Sequence, residues 1–336
     1  MIENEFELIR SLSKKLPPLS SKIEIGIGDD AAVIKPVPGK LLFTVDCLVE
    51  TVHFDFSYSE PEEVGYKALA VNLSDIAAMG GVPIAAVVSL GIPPKTEKDL
   101  LERIYVGLGN LASIYSVDIV GGNTSAVPSN LFINISVLGS DSGNVLTRSG
   151  AKKGDIVFIS GIPGQSAAGL ALLKKWGKTA KQVYADLVGK HLVPEPQLKL
   201  GSVFAGVPGV NSLIDVSDGL SSELWHLAQS SGVRFQVREE RLIPTPEMVS
   251  AAEALQVSVQ DWIFSGGEDY LLMGTAAPAA WEDLKSRARA QSFHLLSIGE
   301  VISGPAGVEL VSKQGKIFEL PSSGWNHFTS SRKGLT

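Results

Sequence analysis

Tyr66-Lys67-Ala68-Leu69-Ala70-Val71-Asn72-Leu73-Ser74-Asp75-Ile76-Ala77-Ala78-Met79-Gly80 decides how the first half of this chain folds. Apolar residues fill most positions all the way round, which reads as a buried helix rather than an amphipathic surface one. The helix is expected over 60–79, with Pro61 in its first turn and Gly80-Gly81 as its stop. Asn72 and Asp75 stand three residues apart and so share a face. An ordinary solvated face would carry more charge than this, so the pair is a candidate site. A buried polar stripe without function is the plain alternative.

Outward from that helix the pattern alternates between strand and helix. Apolar β-prone runs at 31–34 and 41–47 precede it, separated by Pro36, Pro38 and Gly39. After it come a strand at 84–90, a helix at 96–115, and strands near Ile119 and at 131–138. An amphipathic helix at 3–15, stopped by Pro17-Pro18, opens the chain. The polar, glycine-bearing stretch 149–155 suits a domain junction. Beyond it the spacing predicts a strand at 156–160, helices at 164–175, 180–191 and 195–205, a strand at 213–216, and a helix at 218–231. A terminal pair, 307–311 and 316–320, looks like a hairpin. The expected architecture is mixed α/β in two domains, 1–148 and 149–329, with a disordered tail at 330–336.

Bulk properties narrow the function. The chain has 336 residues, 44% of them apolar, enough for two buried cores. A net charge of −7 argues against nucleic-acid or anionic-membrane partners, which need a basic footprint. Cys47 is the only cysteine, so no disulfide forms within the chain. The acidic start lacks signal-peptide character, and the apolar stretch 68–93 is interrupted by Asn72, Asp75, Gly80, Gly81 and Pro83. Cytoplasmic residence is the expectation. No P-loop or protein-kinase signature is present, and the five histidines lack zinc-protease spacing.

Acidic residues recur where they pack poorly. Gly28-Asp29-Asp30-Ala31 sets two carboxylates after a glycine turn, which also suits a simple Asx turn. Asp46 ends an apolar strand, with Thr44 on the same side; a strand-terminal cap is its bland reading. Leu213-Ile214-Asp215-Val216-Ser217-Asp218-Gly219 runs from strand into helix, and Asp218 occupies a position suited to an N-cap. If these carboxylates converge, hard divalent cations must lie among them, and Mg²⁺ bridging phosphates is the usual solution. Val120-Gly121-Gly122-Asn123-Thr124 reads as a glycine turn open to an anion, or as a turn alone. Arg148, in Leu146-Thr147-Arg148-Ser149-Gly150, offers a phosphate-binding guanidinium or is an ordinary surface arginine. Ser265-Gly266-Gly267-Glu268-Asp269-Tyr270 presents a carboxylate on a glycine turn.

Taken in order, these motifs, with Thr44-Val45-Asp46 and His53-Phe54, resemble the thiamine-monophosphate kinase family from about Glu5 to Phe328. The resemblance implies the fold of aminoimidazole ribonucleotide synthetase, with an N-terminal domain that dimerises through its sheet. It implies transfer from ATP to thiamine phosphate, giving thiamine diphosphate. Asp30, Thr44, Val45 (through its carbonyl), Asp46, Asp75, Asn123, Asp215 and Asp218 then correspond to ligands of several Mg²⁺ ions. Tyr105, Gly122, Asn123, Arg148 and Ser217 correspond to nucleotide contacts, and His53, Glu268 and Trp325 to the thiamine-phosphate side. Trp325 is also readable as a packing anchor. Asp46, Asp75, Arg148 and Asp215 would carry the catalysis. Asn123 stands where the family pattern has Asp, which removes one negative charge. Alternatives are a sister enzyme of the same superfamily, or a nucleotide- or thiamine-phosphate-binding protein without turnover.

Overall fold

The computed structural model describes residues 5–325, and the expected tail at 330–336 lies outside the described residues. Two compact units result: Met1–Ile76 with Gly81–Ser142, and Ala77–Gly80 with Gly143–Thr336. The junction falls after Ser142 rather than after Arg148, so Arg148 belongs to the second unit. No helix among the described residues is long and apolar enough to cross a membrane.

The first unit runs α1 (Glu5–Ser13), β1 (Ile23–Ile25), β2 (Val33–Ile34), β3 (Leu41–Val49), α2 (Pro61–Ala78), β4 (Gly81–Ile92), α3 (Lys98–Tyr115), β5 (Asp118–Ala126) and β6 (Phe132–Asp141). Four strands form a sheet in the order β3-β6-β4-β5, with only β4 and β5 parallel. The apolar helix expected from the sequence is α2, and Leu69, Leu73 and Ile76 on it are buried. It crosses α3 with backbones almost touching. A Cβ at Gly65 would stand 1.8 Å from the carbonyl oxygen of Ile104, and one at Gly107 1.8 Å from that of Glu62. Both glycines are there for close approach, not for a turn.

Gly121-Gly122-Asn123-Thr124 departs from expectation: it lies inside β5, not in a turn. Gly122 pairs with Val88 of β4, and a Cβ there would fall 1.9 Å from the Val88 carbonyl oxygen. The glycine lets two parallel strands approach, a demand that arises from the neighbour and leaves no local trace.

The second unit runs β7 (Ile156–Ile159), α4 (Gln165–Trp176), α5 (Ala180–Val183), α6 (Ala185–Leu192), α7 (Leu198–Ala205), β8 (Val210–Asp215), α8 (Leu220–Ser231), β9 (Arg234–Arg238), α9 (Pro246–Leu255), α10 (Val259–Ser265), β10 (Leu272–Ala276), α11 (Trp281–Ala290), β11 (Leu296–Ile302), β12 (Gly307–Val311) and β13 (Ile317–Glu319). Its seven strands lie in the order β13-β12-β9-β11-β7-β10-β8, antiparallel except for β12 with β9. The expected terminal hairpin is β12–β13. The single helix expected at 180–191 is instead two, α5 and α6, broken at Tyr184 (φ −126°, ψ 51°). Phe158 and Phe204 meet edge to face in the core, 5.2 Å between centroids.

Candidate active site

In the first unit the candidates form two groups. The first is on β3, an edge strand whose outward main-chain groups have no ladder partner. Asp46 N–H is satisfied instead by Asn72 Oδ1 of α2 at 2.9 Å, and Asn72 Nδ2 donates to the Ala68 carbonyl at 3.0 Å. Thr44 Oγ1 donates to Asp75 Oδ2 at 2.5 Å. The alternation predicted for Thr44 and Asp46 therefore holds, and both face α2. Val45 points to the opposite, open face of the sheet and is 53% exposed, so only its main chain can offer an oxygen. Nearby, His53 Nδ1 accepts the Val49 N–H at 3.0 Å, which places the proton of a neutral ring on Nε2. The buried Lys67 ammonium donates to the His53 carbonyl at 3.2 Å.

The second group surrounds the free edge of β5. Asp29, Asp30, Tyr105, Gly122 and Asn123 line one cavity of about 820 Å³. Asp29 Oδ1 accepts the Asp30 N–H at 2.9 Å, a bond to the next residue rather than the two-residue span of an Asx turn, and the Asp30 side chain is exposed. Burial pushes the Tyr105 phenol pKa upward, so the ring stays protonated. Asp46, Ile135, Val88 and Gly122 form one row across the sheet. Three strand spacings, about 14 Å, thus separate Asp46 from Gly122. Asn123, one residue on, faces the side opposite to Asp46 and donates from Nδ2 to Ser125 Oγ at 3.2 Å. Within one unit the sheet keeps the two groups apart.

In the second unit main-chain bonds draw remote segments together. Beyond β8, Val216 exchanges bonds with Leu271 and Tyr270, and the Glu268 N–H donates to the Ser217 carbonyl at 2.7 Å. Trp325 N–H donates to the Asp218 carbonyl at 2.9 Å. Ser217, Asp218, Glu268 and Trp325 therefore share one small region, and Trp325 is 43% exposed. The helix cap expected at Asp218 is absent. Gly219 (φ 127°) is the N-cap of α8 and provides no side-chain bond. Asp218 is instead held through its own N–H, which donates to Glu223 Oε1 at 3.0 Å.

Glu223 is a residue the sequence reasoning missed. It is 2% exposed on α8, and desolvation pushes its pKa up to about 8, with the Asp215 and Asp218 charges adding to that and Asp218 N–H and Arg148 opposing it. Arg148 is thereby placed within electrostatic reach of Glu223. It also acts on His226, whose pKa is lowered first by burial and then by Arg148. Asp269, next to Glu268, is likewise raised to about 7 by desolvation against the N–H groups of Gly164 and Ser166.

The donors offered, carboxylate, hydroxyl, amide and carbonyl oxygens, suit a hard cation such as Mg²⁺ and not a soft one. Among the described residues, no three His, Cys, Asp or Glu side chains cluster tightly enough to hold a metal ion by themselves. That fits Mg²⁺, which keeps waters and is usually held by one or two carboxylates together with substrate phosphates.

Comparison with known proteins bears on this arrangement. Residues 28–140 match the family model described as AIR synthase related protein, N-terminal domain. The thiamine-monophosphate kinase of Bacillus subtilis (strain 168) is 38% identical, over 97% of this chain and 99% of its own length. The crystal structure of thiamine-monophosphate kinase from Stenotrophomonas maltophilia K279a superposes with a TM-score of 0.80 at 30% identity, covering 91% of this chain and 96% of that one. AaThiL complexed with AMPPCP and TMP superposes with a TM-score of 0.77 at 34% identity, covering 96% and 97%. With this identity sustained over nearly its whole length, the chain belongs to the thiamine-monophosphate kinase family.

Proposed function

We propose that this chain phosphorylates thiamine phosphate to thiamine diphosphate, moving the γ-phosphoryl group of ATP directly and in line. The observation that carries the reading is end-to-end similarity to a relative solved with AMPPCP and TMP, ligands that match the two substrates. An acceptor phosphate is already anionic near neutral pH, so catalysis needs positioning and charge neutralisation rather than a strong base. Mg²⁺, when bound, supplies that neutralisation on the phosphates.

Asp30, Thr44, Val45 through its carbonyl, Asp46, Asp75, Asn123, Asp215 and Asp218 are proposed to hold the ions. Asp46, Asp75, Arg148 and Asp215 are the proposed catalytic set. Tyr105, Gly122, Asn123, Arg148 and Ser217 would take the nucleotide, and His53, Glu268 and Trp325 the thiamine phosphate. A homodimer belongs to the same proposal, supported by the open sheet face that leaves Phe43 74% exposed beside Leu41, Val45 and Val87. Cytoplasmic residence, where ATP is at hand, completes it.

The test is phosphorus NMR of the purified protein with Mg-ATP and thiamine phosphate. New diphosphate resonances belonging to thiamine diphosphate are expected. Binding of both compounds without product would replace this reading with a non-catalytic one, and turnover only with another acceptor would point to a sister enzyme.

A further inference from the structure

The proposed acceptor contact, Glu268, stands on an unusual piece of backbone. Its φ is +65° and that of Tyr270 is +51°, left-handed values that cost non-glycine residues energy and persist only where surroundings over-determine them. Gly266 and Gly267 leave no room for adjustment. A Cβ at Gly266 would fall 2.4 Å from the Trp262 carbonyl oxygen, and one at Gly267 2.7 Å from that of Ser217. The main chain is therefore clamped, while the Glu268 side chain, with three rotatable bonds of its own, needs its own support.

That support comes from α6 and α4. His191, 2% exposed, brings Nδ1 to 3.4 Å from Glu268 Oε2. The same nitrogen is 3.2 Å from Ser166 Oγ, on a serine with no exposure. A carboxylate only accepts, so Nδ1 meets it as the N–H donor, and the serine oxygen lies where it restrains the ring plane. Nothing in the nucleotide-side assignment uses His191 or Ser166. We infer that His191, braced by Ser166, is a positioning residue that aims the Glu268 carboxylate at the organic portion of the acceptor and so sets affinity for the acceptor, not for ATP. This rests on the reading that Glu268 contacts the acceptor.

Steady-state kinetics of the full chain, varying thiamine phosphate and ATP separately, test it. His191→Leu removes the donor while keeping bulk. It should raise KM for thiamine phosphate about tenfold or more, the scale of losing a hydrogen bond to a charged group, with KM for ATP within about twofold. His191→Asn keeps a donor near the Nδ1 position and should recover most of the loss; Ser166→Ala should give a smaller rise of the same kind. Because His191 acts through Glu268, His191→Leu should add little to Glu268→Gln in a double-mutant cycle. Additive losses, or equal rises in both KM values, would overturn the inference. If His191→Leu does not fold, the cycle runs with Ser166→Ala, judged by the same criterion. The underlying reading fails separately: Glu268→Gln leaving the KM for thiamine phosphate unchanged sinks the acceptor assignment, whereas a rise there with none in the His191 and Ser166 variants sinks only the positioning role.

Discussion

Asp75 shows how one residue joins structure to chemistry. Its Oδ2 accepts from Thr44 Oγ1, and an asparagine can keep that bond with its amide oxygen. Asp75→Asn should therefore shift unfolding free energy by less than about 1 kcal/mol, yet lower kcat/KM on the order of a hundredfold, the scale of losing one preorganised charge. Equal losses in denaturant melts and in turnover would make Asp75 structural. Glu223 makes a pH prediction. Its folded pKa of about 8 lies above the ordinary 4.5. Between those values the folded chain keeps a proton that the unfolded chain has released, so this group's contribution to stability falls as pH rises, by at most about 1.4 kcal/mol per pH unit. Below the lower value the contribution is unchanged with pH. In EDTA, Glu223→Gln should gain stability relative to the parent from pH 5 to pH 8; a constant difference across that range would refute it. Asp46, Asp75, Asp215 and Asp218 were legible because acids in apolar runs stand out. Glu223 and His191 were not, because on helices with ordinary polar spacing their burial is decided by partners far along the chain.

At the scale of elements, periodicity and breakers located α2, α3, α4, α8 and most strands to within a few residues. The misreadings have physical causes. Gly121-Gly122 looked like a turn because glycine weakens strands, but β5 needs it to approach β4. Asp218 looked like a cap because its residue type favours one, but the flanking Gly219 takes the position and Glu223 holds the turn from the other side. Gly122→Ala should consequently destabilise the first unit by about 2–3 kcal/mol, a typical overpacking cost, and lower the thermal midpoint. An unchanged midpoint would mean that the strands can part without loss. The strand orders of both sheets were not readable, since they depend on pairings between distant segments.

For the whole molecule, the polar stretch at 149–155 leads to the expectation of two domains, and contacts divide the chain into two compact units that part after Ser142. The exposed apolar stripe on β3 was hidden in an alternating pattern that usually means one wet face. Here both sets of side chains are apolar or proposed for the site: Leu42 and Leu48 are buried beside Thr44 and Asp46, while Leu41, Phe43 and Val45 face outward. A stripe of that kind on an edge strand invites association. Phe43→Glu should convert the proposed dimer to monomer in light scattering after size exclusion, with circular dichroism unchanged. A parent protein that runs as a monomer at micromolar concentration would remove the dimer from the account.

The way residues 320–325 are tied down has one more consequence. Trp225 Nε1 donates to the Leu320 carbonyl, Ser221 Oγ to that of Pro321, and Ser265 and Ser323 share a hydroxyl contact before Trp325 reaches Asp218. Synthesis proceeds from the N-terminus, so every strand of both sheets is made before these latches exist. A nascent chain can thus fold its scaffold before residues 320–325 are added, and the proposed acceptor side, which includes Trp325, is completed only after them.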